Sequence, residues 1–156
     1  MQNLTVIIAT TSGHTQFVVD TVLSRWKETG VNVSVKIIRA ELATAADFTD
    51  ADILLLGSGT WNTGGVEGQL NPYMHELLFG KLKGIDLKGK PVLLVSLGDE
   101  RYYFTTRCTE RFMQFLKSAN GKSLGIPLII VNEPYDQMER INKWSDGAGE
   151  KLRNIL

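Results

Sequence analysis

Ala9-Thr10-Thr11-Ser12-Gly13-His14-Thr15 closes the apolar run Leu4 to Ala9 and opens a periodic segment from Gln16 onward, so it reads as strand, tight loop and helix start. Three hydroxyls, those of Thr10, Ser12 and Thr15, surround Gly13, so side-chain donors and the free N–H groups of a first helical turn can converge on one small anion. The loop contains no Lys or Arg. Such donors, aided by the positive end of the helix dipole, bind a phosphate monoester without a counter-charge, which points to a mononucleotide tail more than to a polyphosphate. The same residues also fit an ordinary helix start, with Ser12 as the cap and Gly13 easing the turn.

Outward from this loop the chain alternates between two periods. Phe17, Val18, Val22 and Trp26 recur at helical spacing until Gly30, and Val31 to Ile38 follows as a β-branched run suited to a strand at a sheet edge. A short helical stretch is expected around Ala43 to Phe48. Ile53 to Leu56, running into Gly57-Ser58, reads as a central parallel strand. Gly59-Thr60-Trp61-Asn62-Thr63-Gly64-Gly65 then sets an indole among glycines, before a helical pattern through Leu70, Met74, Leu77 and Leu78 that stops at Gly80. After a polar connector, Pro91 to Leu97 gives a fourth strand and meets Gly98-Asp99-Glu100-Arg101-Tyr102-Tyr103. Phe112, Phe115, Leu116 and Ala119 share a helical face ended by Asn120-Gly121. Leu124 to Val131 reads as an uninterrupted fifth strand, and Met138, Ile141, Trp144, Ala148, Leu152 and Ile155 step along a last helix. Strands alternating with helices imply α/β architecture, a parallel sheet built from right-handed crossovers.

With 156 residues, 43% of them hydrophobic, the chain reads as one domain, residues 1–156, with a real core. Lys and Arg number 17 against 17 Asp and Glu, which gives no basic excess for nucleic acid. No run has the length of a membrane span and the start lacks a signal-peptide pattern, so a soluble, cytoplasmic, monomeric protein is expected. The single Cys108 excludes an internal disulfide, has no partners in metal-ligand spacing, and reads as a small buried residue. His75 is expected to be inert, and His14 to face solvent. Neither a catalytic set nor a metal cluster is visible, so any chemistry must come from a bound cofactor.

In an open α/β sheet, ligands bind beyond the carboxyl ends of the strands where the strand order reverses. In the five-strand order 2-1-3-4-5, strands one, three and four are neighbours, which brings the hydroxyl loop, the Trp61 loop and the Tyr102 loop to one rim. An anion hole beside two rings suits a flat aromatic phosphate ester.

With these three loops in place the chain resembles the flavodoxins, which are themselves a standard instance of that binding rule. Thr10-Thr11-Ser12-Gly13-His14-Thr15 is similar to the family's T-x-T/S-G-x-T phosphate loop. Gly57-Ser58-Gly59-Thr60-Trp61-Asn62 resembles its second flavin loop, and Gly98-Asp99-Glu100-Arg101-Tyr102 its third, G-D-x-x-Y. The resemblance implies a flavodoxin-like three-layer sandwich, a five-stranded parallel sheet of order 2-1-3-4-5 with helices on both faces. It also implies the short-chain branch, since no long insertion follows Leu124. The implied cofactor is FMN, with its phosphate at Thr10, Thr11, Ser12, Gly13, His14 and Thr15. The flavin would lie among Ser58, Gly59, Thr60, Trp61, Asn62, Thr63, Gly64, Leu97, Gly98, Asp99 and Tyr102, with Trp61 and Tyr102 sandwiching the ring and the Asn62 peptide meeting the flavin N(5). Tyr103, adjacent to Tyr102, points the other way in an extended loop.

The function implied is that of a one-electron carrier between redox partner proteins, reductases and oxidases, rather than an enzyme. The alternative is an FMN-dependent quinone reductase or protoporphyrinogen oxidase of the same fold, which would need one flavin face open. A phosphorylated receiver domain would need acids at the end of strand one, where Ala9-Thr10-Thr11 supplies none. Flavodoxins are usually acidic; this chain is neutral and places Arg101 in the third loop.

Overall fold

Apolar residues that alternate along each central strand sort onto the two faces of one sheet, and this sorting builds two separate cores. The computed structural model describes residues 1–61, 68–99 and 107–156. Its elements are β1 (Gln2–Ala9), α1 (His14–Thr29), β2 (Val33–Arg39), a 3₁₀ turn (Ala40–Leu42), α2 (Ala45–Thr49), β3 (Ile53–Trp61), β4 (Gln69–Leu70), α3 (Pro72–Glu76), a π-helical turn (Leu77–Lys81), β5 (Pro91–Gly98), α4 (Cys108–Ala119), β6 (Lys122–Ser123), β7 (Leu128–Val131) and α5 (Met138–Ile155). On one face Ile7, Leu54, Leu56 and Leu94 pack with Phe48, Met74, Phe112 and Phe115 from α2, α3 and α4. On the other, Val6, Ile8, Leu55 and Val95 pack with Val18, Val22, Trp26, Ile141 and Leu152 from α1 and α5.

The sheet runs β2-β1-β3-β5, with β6 and β7 both paired to the outer side of β5, all parallel, and β4 antiparallel to the end of β3. This is the expected order 2-1-3-4-5, with the fifth position in two pieces. Val92 faces Ser123 and Val95 faces Leu128, so the outer strand takes a longer step than β5 between those two pairings. Gly125 adopts a left-handed φ of 73° there and Pro127 has no N–H to offer, and the strand bulges away from its neighbour. The helical pattern expected through Leu70 is also altered. Leu70 pairs with Thr60 in the short β4, because Pro72 bars the residue before it from helical geometry and Asn71 caps the new helix, accepting from the Tyr73 N–H at 3.0 Å.

Helix α1 stops at Gly30, which takes a φ of 78°. It is joined to α5 by buried and exposed contacts. The Trp26 indole donates to the Ser145 carbonyl at 2.7 Å and lies against Gly149, where a Cβ would meet Val31 at 3.1 Å. At the surface the Arg25 guanidinium grips Asp146 through two bonds of 2.7 and 2.9 Å. On the opposite face the Lys90 ammonium caps the end of α2 by donating to the carbonyls of Phe48 and Thr49.

The bidentate bond from Arg25 holds the Asp146 carboxyl below the ordinary carboxylate range. A folded pKa below the unfolded one, about 3.9, means that the contribution of the pair is complete above that pH and is lost as pH falls through the lower folded value. The pair is solvent-exposed, so its effect is small. Acidification should therefore lower the Tm of the parent slightly more steeply than that of Asp146→Asn, as circular-dichroism melts between about pH 6 and 3 would show. Parallel curves would remove the pair from the account of stability.

Candidate functional site

Parallel register aligns Ala9 of β1 with Ser58 of β3, and Gly59 of β3 with Leu97 of β5, so the ends of three strands and the loops that leave them form one rim. Between them lies a cleft of about 630 Å³, within the usual size range of small-molecule sites. A larger hollow, about 910 Å³, lies elsewhere, along β7 and α5.

One wall of the cleft is the loop from β1 to α1, contributing Thr10, Thr11, Ser12, His14 and Thr15. Gly13 takes a φ of 87° as the residue before the helix and makes no side-chain cap, so Ser12 does not cap α1 as the plain helix-start reading required. Instead the Gly13 N–H donates to the Thr10 hydroxyl at 3.0 Å, which leaves the Thr10 proton to donate outward. The first helical N–H with an acceptor is that of Phe17, bonded to Gly13 at 3.0 Å. No acceptor is found for the N–H groups of His14, Thr15 and Gln16 among the described residues, and no acid occupies the first turn. His14 is half-buried, against the expectation of a solvent-facing side chain, because Tyr135 meets its ring edge-on at 5.4 Å between centroids.

The second wall comes from the end of β3. Trp61 is 39% exposed and its indole folds back over Gly59, where a Cβ would come within 3.4 Å of the ring nitrogen. The Thr60 hydroxyl donates to the Leu97 carbonyl at 2.9 Å, tying β3 to β5 at the rim. Ser58 is fully buried beneath the cleft rather than lining it, and its hydroxyl accepts the Asn71 N–H at 3.0 Å. Below it the buried Cys108 thiol lies 3.7 Å from the Ser58 carbonyl, and burial pushes that thiol up. The third wall holds Leu97, Gly98 and Asp99.

Asn71, Asn132 and Glu133 also line the cleft and were missed in the sequence. Asn132 sits at a left-handed φ of 68° and donates its N–H to the Gly98 carbonyl at 2.8 Å. An asparagine between a strand and a proline, Asn132 before Pro134, was the one available signal. Asn71 is wholly buried, with no partner for its side-chain nitrogen among the described residues. The expected contributors Asn62, Thr63, Gly64 and Tyr102, together with Arg101 and Tyr103, lie outside the described residues.

Among the described lining residues there is no Lys or Arg, so the donors facing the cleft near α1 are backbone N–H groups, hydroxyls and the His14 ring. That set fits the phosphate of a mononucleotide, and the half-exposed indole in the same cleft fits a flat ring system. Among the described residues no group of His, Cys, Asp and Glu is arranged to hold a metal ion, and no helix is long and apolar enough to cross a membrane.

Comparison with known proteins agrees with this geometry. Residues 6–144 match the family described as Flavodoxin. Flavodoxin 2 from Bacillus cereus superposes with a TM-score of 0.83 at 22% identity, over 96% of this chain and 99% of that one. A short-chain flavodoxin associated with a bacterial microcompartment gives 0.80 at 27% identity, over 97% and 99% respectively.

Proposed function

The chain belongs to the flavodoxin family, whose members bind FMN, and from that premise we propose that its cleft holds FMN and that the protein carries single electrons between larger redox enzymes. When bound, FMN supplies the one-electron redox chemistry. The observation that carries the reading is the pairing, in one cleft, of first-turn N–H groups that have no acceptor among the described residues with an exposed indole.

The first turn of α1 and the Thr10 and Ser12 hydroxyls hold the phosphate. The helix dipole adds to them and no counter-cation is drawn from the described wall. Trp61 offers a ring face, braced by Gly59 behind it and by the β3–β4 pairing of Trp61 with Gln69. Gln69 is in turn gripped by the Arg111 guanidinium at 3.1 Å, which anchors the base of the Trp61 loop to α4. Asp99 and Glu133, on the loops after β5 and β7, complete the lining of the cleft.

Reconstitution with FMN tests the carrier role. The expected result is one FMN per chain, reduction in two resolved one-electron steps, and no turnover of quinone with NAD(P)H. A single two-electron step with rapid quinone turnover would replace the carrier by an oxidoreductase. Within the same assay, Trp61→Ala should weaken FMN binding by up to about tenfold, the worth of one aromatic stack of about 0.5–1.5 kcal/mol. Unchanged affinity would remove the indole from the site.

A further inference from the structure

One buried polar group beside the cleft is left without a partner. Asn71 is wholly buried, and three of its four polar groups are engaged: its N–H donates to the Ser58 hydroxyl at 3.0 Å, its carbonyl accepts from the His75 N–H at 2.9 Å, and its side-chain oxygen accepts from the Tyr73 N–H at 3.0 Å. The fourth, the side-chain Nδ2, has no partner among the described residues. Because a backbone N–H can only donate, the atom of the amide that faces Tyr73 must be the oxygen, and the direction of Nδ2 is set with it. A donor buried without an acceptor destabilises the free protein, and native folds keep such a group where a partner is to be met.

The place of Asn71 in the fold says which partner. β4 runs antiparallel to the end of β3 with Thr60 facing Leu70, so one further step sets Asn71 beside Gly59, which lines the cleft and brings no side chain to it. Ser58, to which Asn71 is bonded, is level with Ala9 at the end of β1, and the residue after Ala9 is Thr10 of the hydroxyl loop. Asn71 itself borders the cleft and leads into α3, which packs on the face of the sheet opposite α1. The hydroxyls on this side are already committed, Ser58 donating to the Gly59 carbonyl and Thr60 to that of Leu97, both at 2.9 Å. The Asn71 amide is thus a free donor across the cleft from the first turn of α1.

We infer, on the reading that the cleft holds FMN, that the Asn71 side-chain amide donates to the cofactor phosphate from the side opposite the α1 turn. A phosphate monoester presents three acceptor oxygens that point in different directions, so a loop on one side leaves acceptors turned toward the other. No Lys or Arg among the described lining residues meets them. Nδ2 is already stripped of water in the free protein, so the bond it makes is not offset by desolvation of the donor. One side chain then has two duties. Its oxygen starts α3, and its nitrogen meets the phosphate.

Paired titrations with FMN and with riboflavin test this role. Asn71→Ser keeps a side-chain cap for α3 but has no group that reaches as far as Nδ2, and Asn71→Asp keeps the cap while setting a carboxylate where the donor was. The expected result for Asn71→Ser is an FMN affinity lower by about tenfold with riboflavin affinity unchanged. Asn71→Asp should lose more FMN affinity, again with riboflavin unchanged. Inorganic phosphate should also raise the Tm of the FMN-free parent more than that of FMN-free Asn71→Ser. A purely structural role would weaken the two flavins alike, and that outcome overturns the proposal, as does an unchanged FMN affinity in Asn71→Ser. A parent that fails to bind FMN at all removes the cofactor reading and the proposal with it.

Discussion

Riboflavin is expected to bind at least about a hundredfold more weakly than FMN, because the two differ only in the phosphate and the phosphate is what the β1–α1 loop is built to receive. The loop presents the N–H groups of His14, Thr15 and Gln16 without acceptors among the described residues, and a Thr10 hydroxyl whose acceptor side is already used by Gly13. Each hydrogen bond to a charged group contributes about 1.5–3 kcal/mol, so losing two of them gives the stated factor at the lower bound. No Lys or Arg lines the described part of the cleft, so the discrimination rests on short-range donors and should survive at high salt. Fluorescence titrations with the two flavins in low and high salt measure both claims. Equal affinities would remove the loop from the cofactor site.

Gly57→Val is expected to lower both FMN affinity and stability, although Gly57 itself does not line the cleft. A Cβ at this position would stand 3.1 Å from the Thr15 Cγ2, 3.5 Å from Val19 and 3.6 Å from Ile8, so the first turn of α1 lies directly on this stretch of β3. The added methyls have no room and must push α1 away from the sheet, an overpacking that costs about 1–3 kcal/mol. Thr15 belongs to the same turn whose N–H groups face the cleft, and displacing it misaims them. FMN affinity should fall about tenfold or more, with a lower Tm in the FMN-free protein as well. A variant that lost stability but kept full FMN affinity would show that the loop adjusts independently of the helix.

The order of elements and the three loops could be read from residues alone, because periodicity reports how each segment meets the core. The continuous apolar runs of β1, β3 and β5 and the helical stripes of α1 and α4 are local properties, and each loop stood out by its own composition. Charge and capping at single positions were less legible: Ser12 has the chemistry of a cap, yet the left-handed turn at Gly13 takes it out of that role.

What only the tertiary structure decided concerns residues whose place depends on partners distant in the chain. Leu70 fits a helical stripe by spacing, but the pairing of Thr60 with Leu70 and the proline that follows make it a strand residue. Ser58 and Gly59 are adjacent in a rim motif; the pleat sends the serine beneath the cleft and leaves the glycine within it. Asn71, Asn132 and Glu133 reach the cleft only because β4 folds back on β3 and because β7 ends beside Gly98. The fifth strand reads as continuous because hydrophobic pattern is blind to register, and its break appears only when Val95 is matched to Leu128. Met138 and Ile155 keep the helical period of α5 yet stand 42% exposed, since α5 begins and ends beyond the edges of the core it covers. Sequence pattern encodes which segments seek burial, whereas register and the limits of the neighbouring element determine which of their residues find it.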